Sequence, residues 1–183
     1  MAAVLGGDPD DVAASLERHG LTPANMNGAG QVVAAGTLDQ LQALQGDPPA
    51  KARVIPLQVA GAFHTEHMAP AVQTLRAEAD AIQPGSPTVT LISNADGAVV
   101  ADGAEVLRRL VSQVSNPVRW DLCMEQLQQL GVTGLIELPP AGTLVGLAKR
   151  GLRGVETLAL KTPDDLETAR RMVAEHGSTT EDH

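Results

Sequence analysis

The residue best placed to do chemistry in this sequence is His64, which lies between an apolar run and a helical pattern. The run Val54-Ile55-Pro56-Leu57 indicates a strand, and apolar residues recur at helical spacing from Met68 onward. A histidine at a strand-to-helix corner is held by two regular elements while its ring can face a cleft, as a general base requires. A histidine at a helix start can also simply cap the helix or pack against it, and the pattern leaves both interpretations open.

The other reactive side chains form no recognisable catalytic or metal-binding pattern. His64 and His67 could share a helix face, but a zinc site needs at least a third ligand, and the single Cys123 has no histidine near it in the sequence. We therefore expect no metal, and we interpret Cys123 as a small buried side chain. No serine stands in a Gly-x-Ser-x-Gly elbow, which disfavours a hydrolase that uses Ser93 or Cys123. The glycines form neither a dinucleotide-binding fingerprint nor a phosphate-binding loop.

The composition is that of a globular protein, with 43% hydrophobic and 19% charged residues in a chain of 183. A formal net charge of −9 argues against nucleic acid as a partner, because no excess of basic residues is available to displace counterions from phosphates. A single cysteine excludes an intrachain disulfide and is typical of a reducing compartment. The sequence shows no signal peptide and no apolar run long enough to cross a bilayer. We therefore expect a soluble, cytoplasmic protein with no membrane partner.

The elements before His64 predict a β-α-β-β-α-β order, that of a ferredoxin-like unit. The strands are predicted at residues 2–6, 23–27, 31–36 and 53–57. Asp8 or Asp10 is predicted to cap the first helix, and Thr37 the second. Because caps, turn residues and apolar spacing agree at each step, the order follows from the sequence itself.

The elements after His64 alternate between helix and strand, which predicts part of a mainly parallel α/β layer. Further strands are predicted at residues 88–93, 132–138 and 155–160. Helices are predicted directly after His64, at residues 103–115, from residue 120 onward, at 142–150, and from 163 to about 176. The polar tail that follows is predicted to be disordered.

Six short segments of the sequence occur in the same order as six conserved segments of one enzyme family. They are residues 1–6, 24–27 with 30–36, Ala62-Phe63-His64-Thr65 with Met68 and Pro70, Ser93-Asn94 with Gly97, 113–120, and 137–144 with 146–150. Together they resemble the malonyl-CoA:acyl-carrier-protein transacylases of fatty-acid synthesis and the related acyltransferase domains of polyketide synthases. The resemblance runs along nearly the whole chain.

This resemblance implies an α/β fold class with two parts and a tail. Residues 1–58 are expected to form the family's ferredoxin-like small subdomain. Residues 59–176 are expected to form the C-terminal part of its large, α/β-hydrolase-like acyltransferase subdomain. Residues 177–183 are expected to be a disordered tail.

The resemblance also implies an activity and the roles of two residues. The activity is transfer of a malonyl group from malonyl-CoA to the phosphopantetheine thiol of acyl carrier protein, through a seryl ester and with no cofactor. His64 matches the family's general base. Gln113 matches the residue whose backbone carbonyl holds the histidine ring in place of a triad carboxylate. The sequence alone favours a different interpretation, in which Gln113 is an ordinary glutamine at a helix end.

Three further residues match positions associated with the substrate. Phe63 matches the family position associated with malonyl rather than methylmalonyl units, where a bulky ring leaves less room for a branching methyl group. Asn25 and Asn27 either line the cleft between the subdomains or are turn residues, and the sequence leaves both interpretations open. Six cations are candidates for docking the acidic carrier protein: Arg108, Arg109, Arg119, Lys149, Arg150 and Arg153. For any single one of them a solvated helix face or a helix end is the favoured explanation, but we expect some of the six to contact carrier protein or CoA phosphates.

The sequence departs from the family in what it lacks. The family's nucleophile elbow, the segment near its oxyanion hole and the arginine that grips the malonyl carboxylate all come before the position that matches Met1. We therefore expect the chain to correspond to the C-terminal portion of the family and to be inactive in malonyl transfer by itself. Two alternatives are a non-catalytic fragment that binds CoA or carrier protein, and an acyltransferase domain of a polyketide synthase.

Overall fold

The computed structural model describes residues 1–177. The predicted disordered tail, except for Gly177, lies outside the described residues. The chain divides into two compact units, Met1–Cys123 and Met124–His183. The boundary predicted after residue 58 marks the end of the ferredoxin-like unit and not the boundary between these two compact units. It stays a prediction.

The first unit contains the ferredoxin-like sheet that the sequence predicts. Its elements are β1 (Ala2–Gly6), α1 (Pro9–Arg18), β2 (Thr22–Met26), β3 (Gln31–Ala35), α2 (Leu38–Gly46) and β4 (Ala52–Pro56). The four strands lie in the order β4-β1-β3-β2, and each of these neighbouring pairs is antiparallel. This order and pairing confirm the predicted β-α-β-β-α-β unit.

Local signals start both helices where the sequence predicts. Asp8 caps α1, because its Oδ1 accepts from the backbone N–H groups of Asp10 at 3.0 Å and Asp11 at 3.4 Å. Thr37 and Gln40 form a capping box at α2. The side-chain amide of Gln40 also donates to the carbonyl of Gly20 at 2.9 Å, so the start of α2 is tied to the chain that leaves α1.

One buried apolar cluster holds the two helices on the sheet. Its members are Val4, Val12, Leu16, Leu21, Ala34 and Leu44. Full burial of a Val or Leu side chain contributes about 1.5–3 kcal/mol to folding, so this cluster outweighs any single cap.

The rest of the first unit contains α3 (Ala69–Ala79), α4 (Gly103–Gln113), β5 (Val118–Arg119) and the start of α5 (Trp120–Gln129). The predicted strand at residues 88–93 is wrong, because its backbone finds no neighbouring strand among residues 1–177. A single antiparallel bridge joins Ile92 to Val99, and Val89 is 75% exposed. β-branched residues favour a strand only where a neighbour supplies the pairing.

Strand β5 has only two residues and is not predicted from the sequence. It runs parallel to β2, with Val118 opposite Asn25 and Arg119 opposite Met26. The pairing adds a fifth strand to the sheet and attaches the segment after α4 to its β2 edge.

The second unit contains β6 (Gly134–Glu137), α6 (Thr143–Gly151), β7 (Glu156–Ala159) and α7 (Leu166–His176). Strands β6 and β7 pair in parallel, as the predicted α/β alternation requires. Glu137 ends β6, and its carboxylate accepts from the N–H groups of Gly142, Leu144 and Val145 at 2.7–3.0 Å. Burial acts to raise the pKa of Glu137, but these bonds to the start of α6 outweigh it and lower the pKa. Within residues 1–177, no helix has both the length and the apolar character needed to cross a membrane.

Candidate active site

His64 lies in the connection between β4 and α3, in a backbone conformation that few residues adopt. Its φ angle is +61°, in the left-handed region. A residue with a side chain pays about 1–2 kcal/mol there, so other contacts must hold it. One of these is the His64 N–H, which donates to the carbonyl of Val114 at 3.2 Å. The corner is thus attached to the end of α4.

The His64 ring makes a second contact with the same helix end. Its Nδ1 lies 2.8 Å from the backbone carbonyl oxygen of Gln113. Because a carbonyl oxygen only accepts, Nδ1 carries the hydrogen and donates it. The Nε2 lone pair is therefore the one left to accept a proton. The side chain is half-buried, as suits a base that must reach a substrate.

Gln113, the last residue of α4, is 8% exposed. Its side-chain amide nitrogen donates to the carbonyls of Asn116 and Pro117, each at 2.8 Å. These bonds fold the chain back over the end of α4, where the N–H of Asn116 also donates to the Gln113 backbone carbonyl at 3.3 Å. Its own Oε1 is buried and has no hydrogen-bond partner within residues 1–177.

The two predicted asparagines lie on the sheet side of this arrangement. Asn25 is opposite Val118 in the β2–β5 pairing. Val118 directly follows Pro117, whose carbonyl accepts a hydrogen bond from the Gln113 side chain. Asn27 is 9% exposed, and its N–H donates to the Gln31 carbonyl at 3.0 Å across the β2–β3 turn. The structure thus places Asn25 beside the segment that supports the His64–Gln113 pair and gives Asn27 a contact within the turn.

Phe63, immediately before His64, is 42% exposed. The ring adjoins the proposed base in the sequence, and its exposure leaves it accessible to a substrate. A role in selecting malonyl units stays a prediction.

Thr65, immediately after His64, is a residue that sequence reasoning does not single out. It is 1% exposed, and its hydroxyl donates to the Ala62 carbonyl at 2.6 Å. A threonine just before a helical pattern is a recognised signal for the start of a helix, and this signal alone could have drawn attention to it.

The first three docking candidates are paired with carboxylates. Arg109 contacts Asp96 at 2.7 Å and Glu105 at 2.6 Å, and Arg108 also contacts Glu105 at 2.6 Å. Hydrogen bonds from Arg108 and Arg109 lower the pKa of Glu105 to about 2. Arg119 pairs with Asp121 in the same way, at 2.9 Å. These pairs favour a structural role over docking for the three arginines.

The other docking candidates lie in the second unit. Lys149 and Arg150 are exposed in the last turn of α6, where cations are favoured by the helix dipole. Arg153 is exposed just after the helix. Neither Lys149 nor Arg153 forms an ion pair with a described residue, so a docking role for them stays a prediction.

The thiol of Cys123 is unsuited to nucleophilic attack. It is 2% exposed, and its Sγ lies 3.5 Å from the Ser93 carbonyl. Burial, helped by the nearby carboxylates of Asp121 and Asp96, raises the pKa of Cys123 to about 11. The interpretation of Cys123 as a buried small side chain is therefore confirmed.

One group of side chains in the second unit has the composition of a metal site. Atoms of Glu156, Glu175 and His176 lie within 4.8 Å of one another. Arg171, however, donates to Glu156 at 2.5 Å and also to Glu175, and His176 Nε2 lies 2.9 Å from Glu156. The carboxylates thus have cationic partners already, and we assign the group to the packing of α7 on β7.

A cavity of about 540 Å³ lies between α1 and the β2–β3 turn. Its lining is mainly apolar and includes Val12, Leu16 and Met26, but not His64. We therefore do not assign it to the chemistry of the histidine.

Known proteins resemble this chain along most of its length. No family model matches the chain. A malonyl CoA-acyl carrier protein transacylase of Mycobacterium bovis is 56% identical over 167 residues, which are 91% of this chain and 55% of the relative. The crystal structure of MCAT from Mycobacterium tuberculosis superposes with a TM-score of 0.88 at 55% identity, again over 91% of this chain and 55% of that one. Over 91% of its length, the chain is therefore similar to malonyl CoA-acyl carrier protein transacylases.

The chain matches a similar share, a little over half, of each of these proteins. A further solved structure, a malonyl-transacylase in complex with a type II PKS acyl-carrier protein, has a TM-score of 0.82 at 26% identity and covers 93% of this chain and 57% of that one. The chain spans about half the length of the transacylases that it matches. This share fits the expectation that it corresponds to the C-terminal portion of the family.

Proposed function

We propose that this chain supplies the proton-transfer part of an acyltransferase that moves a malonyl group from malonyl-CoA to acyl carrier protein. The observation that carries the proposal is the contact between His64 Nδ1 and the Gln113 carbonyl, because it leaves Nε2 as the proton acceptor. Similarity to malonyl CoA-acyl carrier protein transacylases over 91% of the chain supports the choice of reaction.

In the proposed first half-reaction, Nε2 of His64 takes the proton of a serine hydroxyl that the family supplies from outside the part matched by this chain. The serine oxygen attacks the thioester carbonyl of malonyl-CoA. The carbon–sulfur bond breaks, and the CoA thiolate leaves with the proton held on Nε2. The product is a malonyl-seryl ester.

In the second half-reaction the His64 ring again removes a proton first and returns it to the leaving group last. Nε2 takes the proton of the phosphopantetheine thiol, the thiolate attacks the ester carbonyl, and the serine oxygen leaves with the proton. The imidazolium formed in each half is stabilised by a neutral carbonyl rather than by a carboxylate. A neutral acceptor stabilises that charge less than an ionised one, so the proton is more easily returned to the leaving group.

The proposed partners follow from this reaction. They are malonyl-CoA and acyl carrier protein, with no cofactor and no nucleic acid. A neighbour that is itself bound to a carrier protein supports the second partner. We also place the activity in the cytoplasm, where a protein with one free cysteine meets a reducing environment.

A hybrid enzyme tests the proposal. In it, this chain replaces the matching segment of the Mycobacterium bovis relative, and malonyl transfer from malonyl-CoA to carrier protein is measured. We expect an active hybrid in which His64→Ala lowers kcat by about 10²–10⁴-fold. His67→Ala is the matched control, because His67 is an exposed histidine in the same connection between β4 and α3. Equal activity of the two variants would overturn the proposed role of His64.

A further inference from the structure

The hydroxyl of Thr65 is buried directly beside the proposed base. The residue is 1% exposed, although threonine is usually a surface residue. Its Oγ1 donates to the carbonyl of Ala62 at 2.6 Å and accepts from the N–H of His67 at 3.3 Å. The hydroxyl therefore links the chain on one side of His64 to the chain on the other.

The bond to Ala62 closes a short turn whose two inner residues are Phe63 and His64. His64 takes its left-handed conformation inside this turn, with φ at +61°. That conformation persists only where the surroundings over-determine it. Without the Thr65 hydroxyl, the Ala62 carbonyl loses its short hydrogen bond, and the backbone of His64 is freer to return to a negative φ.

The conformation matters because His64 is attached to α4 at two atoms. Its N–H bonds to the carbonyl of Val114, and its Nδ1 bonds to the carbonyl of Gln113. Rotation of the His64 backbone would move both groups away from their acceptors together. The ring would then lose the partner that keeps the hydrogen on Nδ1.

We propose that Thr65 is a positioning residue, whose hydroxyl holds His64 in the conformation and tautomer needed for proton transfer. This inference rests on the proposed function of His64, but its structural part can be tested without it. Among the described residues, the Thr65 hydroxyl forms hydrogen bonds only with the backbone on either side of the histidine, at Ala62 and His67. The competing explanation is that the hydroxyl serves only to cap the short helical turn at Glu66–Met68.

The first experiment measures the tautomer of His64 by ¹⁵N NMR of the 183-residue chain. In the unaltered protein we expect one neutral tautomer, with the hydrogen on Nδ1. Thr65→Val removes the hydroxyl at nearly constant volume and is expected to give a mixture of the two tautomers. Thr65→Ser keeps the hydroxyl and is expected to restore the single form. Ser15→Ala is the control, because Ser15 is an equally buried hydroxyl on α1.

Thr65→Ala covers the case in which Thr65→Val does not fold, since it removes the hydroxyl without placing a methyl group at its position. An unchanged His64 tautomer in the folded variants that lack the hydroxyl would overturn the inference. A change in the tautomer that Ser15→Ala reproduces would also overturn it, because the effect would then be one of general destabilisation.

The second experiment places the same variants in the hybrid enzyme. We expect Thr65→Val to lower kcat by about 10²-fold with little change in KM, and Thr65→Ser to restore it. If the tautomer shifts while kcat stays unchanged, the positioning of His64 by Thr65 stands and the proposed catalytic role of His64 fails. If His64→Ala abolishes transfer and Thr65→Val changes neither the tautomer nor kcat, the proposed function stands and the inference fails.

Discussion

The Nδ1 atom of His64 lies 2.8 Å from the carbonyl oxygen of Gln113, a residue 49 positions later in the chain. The acceptor is a backbone atom, so substitution of the Gln113 side chain does not remove it. What the side chain contributes is support for the chain beyond α4, through hydrogen bonds to the carbonyls of Asn116 and Pro117. The side chain and the backbone of Gln113 therefore have separable roles.

Substitution of Gln113 by Ala tests this separation. The variant removes the donor to the carbonyls of Asn116, an exposed residue, and of Pro117, and each hydrogen bond lost is worth about 0.5–1.5 kcal/mol. We expect the free energy of unfolding in urea to fall by that amount and the hybrid enzyme to lose activity. Gln73→Ala, at an exposed position on α3, is the control. Equal stability of the two variants would contradict the role given to the Gln113 amide.

The core of the ferredoxin-like unit supports a prediction with a control on the same helix. Leu44 is 0% exposed and Leu38 is 83% exposed, and both lie on α2. Leu44→Ala leaves a cavity and is expected to lower the free energy of unfolding by about 2–5 kcal/mol. Leu38→Ala is expected to change it by less than about 0.5 kcal/mol. Chemical denaturation of both variants measures the difference, and similar values would mean that α2 does not pack as described.

The fold of the first unit could be predicted because its signals are local. Asp8 and Thr37 cap helices within three residues of themselves, and turn residues separate short strands. The two errors concern segments whose pairing no local signal indicates. The β-branched residues at 88–93 lack a neighbouring strand, whereas Val118 and Arg119 form β5 because β2 lies beside them.

The candidate site also has features that local sequence patterns predict and features that they do not. The place of His64 at a strand-to-helix corner follows from local patterns, but its contact with Gln113 joins residues that no spacing rule connects. Family resemblance points to both residues. The support that Thr65 and the Gln113 side chain give them follows only from three-dimensional contacts, because each acts through the backbone of another residue.

The pairing of Glu105 predicts how stability depends on acid pH. Hydrogen bonds from Arg108 and Arg109 lower the pKa of Glu105 from 4.5 to about 2 in the folded chain. The stabilising contribution is therefore complete above pH 4.5 and is lost as the pH falls toward about 2. We expect Glu105→Gln to make the unfolding midpoint less dependent on pH in this range.

The control for this prediction is Glu78→Gln, because Glu78 is exposed on α3 and forms no ion pair with a described residue. Salt should weaken the effect of Glu105, since its contacts with the arginines are exposed to solvent. A titration of stability that is the same in Glu105→Gln and in the unaltered chain would contradict the ion pairing.

The sequence of 183 residues contains no serine elbow, so the purified chain is expected to show no malonyl transfer by itself. A radiolabelled malonyl-CoA assay with carrier protein measures this, with the hybrid enzyme as the positive control. Transfer by the isolated chain at a rate near that of the hybrid would show that the nucleophile lies within these residues. It would also remove the need for a serine from elsewhere.

The buried thiol of Cys123 gives a chemical measure of the folded state. Burial raises its pKa from 9.0 to about 11, and the thiolate is the form that reacts with alkylating reagents. At pH 8 the fraction of thiolate is therefore about 100-fold lower in the folded chain than in the unfolded one. We expect iodoacetamide to modify the native protein slowly and the protein in guanidinium rapidly, as followed by mass spectrometry. Because Cys123 is the single cysteine, the signal needs no assignment, and comparable rates in the two states would place the thiol at the surface.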